Sequence, residues 1–300
     1  MAQQSLSGKV VVLTGASSGF GKGAALELAR RGARLVLAAR RLELLEELAS
    51  ECNAEGGEAM ACAADVSRRI DVERLTGAAI AGFGRIDVWI NNAGVGALGR
   101  FERVPLELHE QVIATNLLGT VYGSYCAYRQ FLAQGSGVLI NIASELGFST
   151  APYYASYAAA KHGVVGLAGS LRQEIKENGI TGVHVCTIMP TAHDTPFFDH
   201  AANYTGREVA PPKPLHDPQK VVDAIVRIAA NPEDKQIVGA DGIAKLVLAN
   251  VLPGVAEKIG AKQMHKTQME RPPPATDSPG AVQTPMREGT EVSAGRRADR

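Results

Sequence analysis

Tyr157 and Lys161 stand four residues apart in the run Tyr157-Ala158-Ala159-Ala160-Lys161, and residues at that spacing share one face of a helix. A phenol beside an ammonium is suited to proton transfer. Tyrosine ionises near pH 10, and an adjacent positive charge favours the phenolate and lowers that value. Such a pair can give a proton to a carbonyl oxygen or take one from an alcohol. The same spacing also fits a surface pair in which the lysine snorkels past the ring, so the rest of the chain must decide between them.

A second chemical feature follows the first apolar run. Thr14-Gly15-Ala16-Ser17-Ser18-Gly19-Phe20-Gly21 leads straight into a segment of helical period. A strand that turns sharply into a helix presents backbone N–H groups and the positive end of the helix dipole to a phosphate, and glycines let that backbone come close. Gly15, Gly19 and Gly21 meet that need. Turns collect glycine for steric reasons as well, so the cluster taken alone supports either reading.

Further motifs follow in order. Asn91-Asn92-Ala93-Gly94 ends the fourth strand candidate, Asn116 lies in the next helix, Ser144 ends the fifth strand, Tyr157 comes thirteen residues later, and Pro190 closes the sixth. With its GxxxGxG spacing behind a threonine, its NNAG segment and its YxxxK signature, the chain resembles the short-chain dehydrogenase/reductase family in its shorter form. The resemblance spans roughly residues 6–239. It implies hydride transfer between a nicotinamide cofactor and a ketone, aldehyde or alcohol, with Tyr157 as general acid/base and Ser144 holding the substrate oxygen. It also implies that Lys161 binds the nicotinamide ribose and that Asn116 holds a water linking the lysine to solvent. Gly15, Ser17, Ser18, Gly19, Phe20, Gly21, Asn92, Ala93, Gly94 and Pro190 would line the cofactor, and Thr195 would meet the nicotinamide carboxamide.

Cofactor choice is read at the end of the second strand, where Ala39 is followed by Arg40 and Arg41. An acid there would bond the free 2′-hydroxyl of NAD, whereas a guanidinium binds the 2′-phosphate of NADP. Arg40 therefore points to NADP(H). Some NADP-using relatives also carry a basic residue before the middle glycine, and here that position is Ser18, which keeps an NAD-preferring dehydrogenase as the alternative. Asp65 and Val66 match the place of adenine contact, although Asp65 could equally cap a helix. Thr191 stands where the family often has glycine after the proline, and His193, in a loop with no carboxylate paired to it, is expected at the surface.

The elements that must position these residues alternate. Strand candidates are Lys9 to Leu13, Arg34 to Ala39, Glu58 to Ala63, Ile86 to Asn91, Gly137 to Ile142, Gly182 to Ile188 and Gln236 to Gly239. Helical periodicity covers Gly21 to Arg31, Arg41 to Glu55, Arg68 to Phe83, Leu106 to Ala133, Pro152 to Asn178 and Pro218 to Ala230. Alternation of this kind predicts an α/β, Rossmann-like, doubly wound seven-stranded parallel sheet with helices on both faces, in a single domain over residues 1–242. Residues 243–270 read as a helical extension broken at Pro253 and Gly254. Of the last thirty residues eight are Pro or Gly and none is aromatic, so 271–300 is expected to be a disordered tail.

Composition narrows the function classes. Lys plus Arg equals Asp plus Glu at 31 each, which gives no ground for a nucleic-acid or acidic-membrane partner. The four cysteines form no CxxC pair and no cluster with histidine, so no metal site and no disulfide framework is expected. The N-terminus lacks the order of a secretory signal and no long apolar run follows, which makes the cytoplasm the expected address. Leu146, Phe148, Tyr153, Tyr154, Phe197, Phe198 and Tyr204 lie in segments expected to border the nicotinamide, which suggests a mostly apolar small-molecule carbonyl or alcohol. Relatives commonly assemble through two long helices, so a homo-oligomer, dimer or tetramer, is expected. Two other classes remain: a non-catalytic NADP-binding regulatory or scaffold protein on the same fold, and an epimerase or dehydratase that uses the cofactor without net turnover.

Overall fold

The computed structural model describes residues 5–297. Its strands and helices alternate as β1 (Val10–Thr14), α1 (Gly19–Ala29), β2 (Arg34–Ala39), α2 (Leu42–Ala54), β3 (Glu58–Ala63), α3 (Arg69–Phe83) and β4 (Val88–Asn91). They continue as β5 (Ala97–Gly99), α4 (Leu106–Ile113), α5 (Gly119–Gln134), β6 (Gly137–Ile142), α6 (Ala155–Glu177), β7 (Val183–Pro190), α7 (Phe197–His200) and β8 (Ala202–Tyr204). The last elements are α8 (Gln219–Ala230), β9 (Lys235–Val238), α9 (Gly242–Val251) and α10 (Pro253–His265). Seven strands form one parallel sheet in the order β3-β2-β1-β4-β6-β7-β9. All seven expected strands are present.

Strands buried on both faces need continuous apolar runs, and β1 reads Val-Val-Val-Leu-Thr with every residue buried. Alternate side chains feed two cores. Val11 and Leu13 pack with Leu28, Leu45 and Ile225, which puts α1, α2 and α8 on one face. Val12, Val36 and Trp89 pack with Leu75, Phe131 and Ala168, which puts α3, α5 and α6 on the other.

Two departures from the sequence reading have local causes. The helix expected over 106–133 is interrupted by a π-helical turn, Ala114–Leu118, which carries Asn116. A small second sheet pairs β5 with β8, three residues each, too short to show a period. As expected, the extension is helical and interrupted at Pro253, folding as two helices that part there. The stretch expected to be disordered runs without regular secondary structure against the body of the molecule, held by the contacts described below. The four cysteines are free.

Candidate active site

β1 lies between β2 and β4, and at such a switch point a crevice opens beyond the carboxyl ends of the strands. Thr14 ends β1 there. Its hydroxyl donates to the Ile90 carbonyl at 3.2 Å and accepts the amides of Asn92 at 3.0 Å and Ala93 at 3.2 Å. The Asn92 side-chain amide donates in turn to the carbonyls of Thr14 and Gly15, at 3.0 and 3.1 Å. The glycine turn and the NNAG segment are thus one brace. Gly15 has φ +66°, and a Cβ there would stand 2.7 Å from Ala93 Cα, so this turn admits no side chain. Behind it, buried Asn91 donates to Asn141 Oδ1 and accepts from Trp89 Nε1, both at 2.8 Å, which ties β4 to β6.

Tyr157 and Lys161 sit in the first two turns of α6 and face Ser144, just past the end of β6. The Lys161 ammonium lies 5.5 Å from the Tyr157 ring centroid and donates to the Ile142 carbonyl at 2.8 Å. Burial pushes the Lys161 pKa down to about 8. Burial also pushes Tyr157 up to about 12, with the Ser144 hydroxyl hydrogen bond pulling the other way. The sequence argument predicts the opposite sign for Tyr157, because it weighs the lysine charge alone. Within the cleft the loss of hydration of the phenolate is the larger effect. Tyr157 therefore keeps its proton throughout the neutral range.

Asn116 is fully buried, and its side chain spends both polar atoms on the Val95 backbone, donating to the carbonyl and accepting the amide at 2.8 Å each. Here it pins the segment after β4. A Cβ on Gly94 would stand 3.5 Å from Asn116 Oδ1 and 3.7 Å from Lys161 Nζ, so Gly94 is where the two approach each other.

A cleft of about 270 Å³ runs from this group to the end of β2. Gly15, Ser17, Ser18, Gly19, Phe20, Arg40, Asp65, Val66, Asn92, Ala93, Gly94, Pro190 and Thr195 line it together with Ser144, Tyr157 and Lys161. Gly21 lies behind the turn, where a Cβ would meet the Gly15 carbonyl oxygen at 2.1 Å. Asp65 accepts the Ser67 amide at 2.9 Å and hydroxyl at 2.7 Å, so it fixes the turn before α3 while also facing the cleft. Arg41 contributes as well, donating to Ser17 Oγ at 2.9 Å. Burial lowers the pKa of both Arg40 and Arg41 from the usual guanidinium value.

Two expectations are corrected. His193 is not at the surface: it is 3% exposed, bonds the Thr191 carbonyl through Nδ1 at 2.9 Å, and lies between the Phe20 and His216 rings. Burial pushes its pKa down to about 4. Its surroundings come from residues distant in sequence, which no local pattern announces. Of the seven residues expected around the substrate, Leu146, Tyr154, Phe197 and Phe198 line the cleft. Phe148, Tyr153 and Tyr204 pack elsewhere: Phe148 joins Val164 and Met189, the Tyr153 hydroxyl meets His265, and Tyr204 packs beside Ala97 and Val104.

Known proteins resemble this chain in sequence and fold. A family model described as short chain dehydrogenase matches residues 9–204. The chain is 35% identical over 270 residues to the uncharacterized oxidoreductase YxnA of Bacillus subtilis, covering 89% of this chain and 76% of that protein. Among solved structures, a short chain dehydrogenase/reductase from Burkholderia phymatum in complex with NAD superposes with a TM-score of 0.75 at 25% identity, over 84% of this chain and 96% of that one. An alcohol dehydrogenase from the archaeon Thermococcus sibiricus, complexed with 5-hydroxy-NADP, superposes with a TM-score of 0.66 at 29% identity, over 77% of this chain and 95% of the other. In the described residues no helix is long and apolar enough to cross a membrane.

Proposed function

We propose, from the premise that the chain belongs to the short-chain dehydrogenase family, that it is an NADP(H)-dependent oxidoreductase interconverting a mostly apolar ketone or aldehyde and its alcohol. The observation that carries this reading is the convergence of Tyr157, Ser144 and Lys161 at one end of a cleft whose other end holds Arg40. The residues present fit a dinucleotide: the Gly15 and Gly21 positions admit no side chain, as a close backbone approach to phosphate requires. A buried ammonium also faces Gly94. The solved relatives hold NAD in one case and an NADP derivative in the other, so the preference rests on Arg40.

When bound, the nicotinamide supplies or accepts the hydride. The Tyr157 hydroxyl gives its proton to the carbonyl oxygen, and Ser144 donates a hydrogen bond that fixes the same oxygen. Lys161 stabilises the phenolate left behind and can hold ribose hydroxyls through its remaining N–H groups. Arg40 takes the 2′-phosphate, and Thr195 the carboxamide. Leu146, Tyr154 and Phe197 give the substrate end an apolar lining. Exposed Leu118, Tyr125 and Leu132 on or beside α5 support the expected oligomer.

The test is a fluorescence titration with NADPH and with NADH, followed by a panel of apolar ketones and aldehydes. Oxidation of bound NADPH on adding a carbonyl supports the reading, and no binding of either cofactor removes it. Arg40→Ala should weaken NADPH relative to NADH by roughly tenfold or more, the worth of a charge-assisted hydrogen bond. An unchanged ratio of the two dissociation constants would reject Arg40 as the selector.

The pH dependence of reduction follows from the two shifted groups. Below about pH 8 both Lys161 and Tyr157 are protonated; as pH rises through about 8 the lysine loses its charge while the tyrosine keeps its proton up to about 12. For carbonyl reduction kcat/KM should be flat below pH 8 and fall above it by about tenfold per pH unit, as for loss of one essential proton. A rate that climbs between pH 8 and 9 would contradict the assignment to Lys161.

A further inference from the structure

Residues 278–297 enter the same cleft. Ser278 exchanges backbone hydrogen bonds with Asn203 at 2.8 and 2.9 Å, and the Ala281 amide donates to the His200 carbonyl at 2.8 Å. Val282 is fully buried against Ala97, Val112 and Ala202. The chain then passes over Arg40, whose guanidinium donates to three consecutive carbonyls: Ala281 at 2.5 Å, Val282 at 3.1 Å and Gln283 at 2.8 Å. Arg41 donates to the Met286 carbonyl at 2.8 Å. The Gly19 amide, in the glycine turn at the head of α1, donates to the Glu291 carbonyl at 2.9 Å.

Beyond this the segment is anchored at Asp194, which is fully buried. The Asp194 carboxylate accepts the Ser293 hydroxyl and the Arg297 amide at 3.1 Å each, and Arg296 Nη1 lies 3.6 Å from it.

Two of the groups engaged in this way, the Arg40 guanidinium and an amide of the glycine turn, are ones assigned above to an anionic ligand, and Arg41 stands beside them. Backbone carbonyl oxygens carry partial negative charge, so three of them on Arg40 both use its donors and repel a phosphate brought to the same place. Arg40 cannot serve both. We propose that residues 278–297 are an internal ligand of the dinucleotide cleft that competes with the phosphate groups of the cofactor and must leave before NADPH is held. This rests on the nicotinamide-dinucleotide reading of the site. Competition of this kind lowers apparent affinity in proportion to the time the segment is seated, about tenfold for nine-tenths occupancy. It falls harder on NADPH than on NADH, because only the former requires Arg40.

The test uses the full chain and two variants that unseat the segment from outside the catalytic and binding residues. Gly280 has φ +53°, and a Cβ there would meet the His200 carbonyl oxygen at 2.5 Å and the Ala201 carbonyl carbon at 2.6 Å, so Gly280→Val cannot lie down as the native segment does. Val282→Asp places a charge in a fully buried position. Both variants should bind NADPH about tenfold or more tightly than the native chain, with a smaller gain for NADH, and a synthetic peptide of residues 278–297 added in trans should reverse the gain. In the native chain, saturating NADPH should raise hydrogen exchange and protease cutting within 278–297. Equal or weaker NADPH binding by both variants, or greater protection of the segment with NADPH bound, would overturn the proposal. A gain seen with NADH in chains that do not bind NADPH would leave the competition standing and remove the NADP assignment. Binding of neither cofactor by any of the three chains would remove both.

Discussion

Replacing Tyr157 by Phe should cut turnover by about 10²- to 10⁴-fold, the usual worth of a positioned proton donor, while NADPH affinity stays within about twofold. The change removes one oxygen and leaves the ring. Its tilted contact with Phe197, centroids 5.4 Å apart, and its edge contact with Tyr154 at 6.4 Å are kept, so the pocket wall survives. No neighbour can take over the role. His193 lines the same cleft, but with a pKa near 4 it is neutral at pH 7, and the Thr191 carbonyl binds its Nδ1–H, which leaves Nε2 without a proton. Lys161 has a proton to give, yet its ammonium is turned to the Ile142 carbonyl. Single-turnover oxidation of bound NADPH, beside the fluorescence titration, reads the two quantities separately. Turnover above a tenth of native in the Phe chain would show that the proton comes from elsewhere.

What the sequence reveals of this molecule is what repeats or has a fixed spacing. Strands such as β1 and β2 are legible because burial on both faces demands unbroken apolar runs, and the glycine turn because close backbone approach leaves glycine as the residue type that fits. Sixteen of the residues expected to act in catalysis or cofactor binding line the cleft. What stays hidden depends on contacts between distant segments. The stretch after residue 271 has too few apolar side chains to suggest a core, and the structure holds much of it through its backbone carbonyls and the side chains of Arg40, Arg41 and Arg296. Backbone acceptors leave no mark in composition. His193 was hidden for a related reason: the groups that bury it, Phe20 and His216, come from opposite ends of the domain. Tyr157 shows a third limit, since spacing reports that a lysine is near but not how far water is excluded, and exclusion sets the sign of the pKa shift.

Gly21→Ala should weaken NADPH binding by about 100-fold and lower the melting temperature by several degrees, without touching any residue of the proton-transfer group. The added methyl would lie 2.1 Å from the Gly15 carbonyl oxygen, 2.8 Å from Asn92 Nδ2 and 2.9 Å from Ala16 Cα. Two of these three are backbone atoms, so a rotamer change cannot relieve the contact. The Gly15 carbonyl must move, and it is one of the two carbonyls held by the Asn92 amide, the other being that of Thr14. Displacement therefore loosens the brace between the glycine turn and the segment after β4, at a cost of about 1–3 kcal/mol, typical of overpacking. Gly77 in α3 is the control: a Cβ there meets nothing within 4 Å, so Gly77→Ala should leave binding unchanged and stabilise the chain by up to about 1 kcal/mol through helix propensity. Thermal unfolding and NADPH titration on both variants separate steric exclusion at the turn from a general effect of losing glycine. Native affinity in Gly21→Ala would mean that this turn does not hold the dinucleotide.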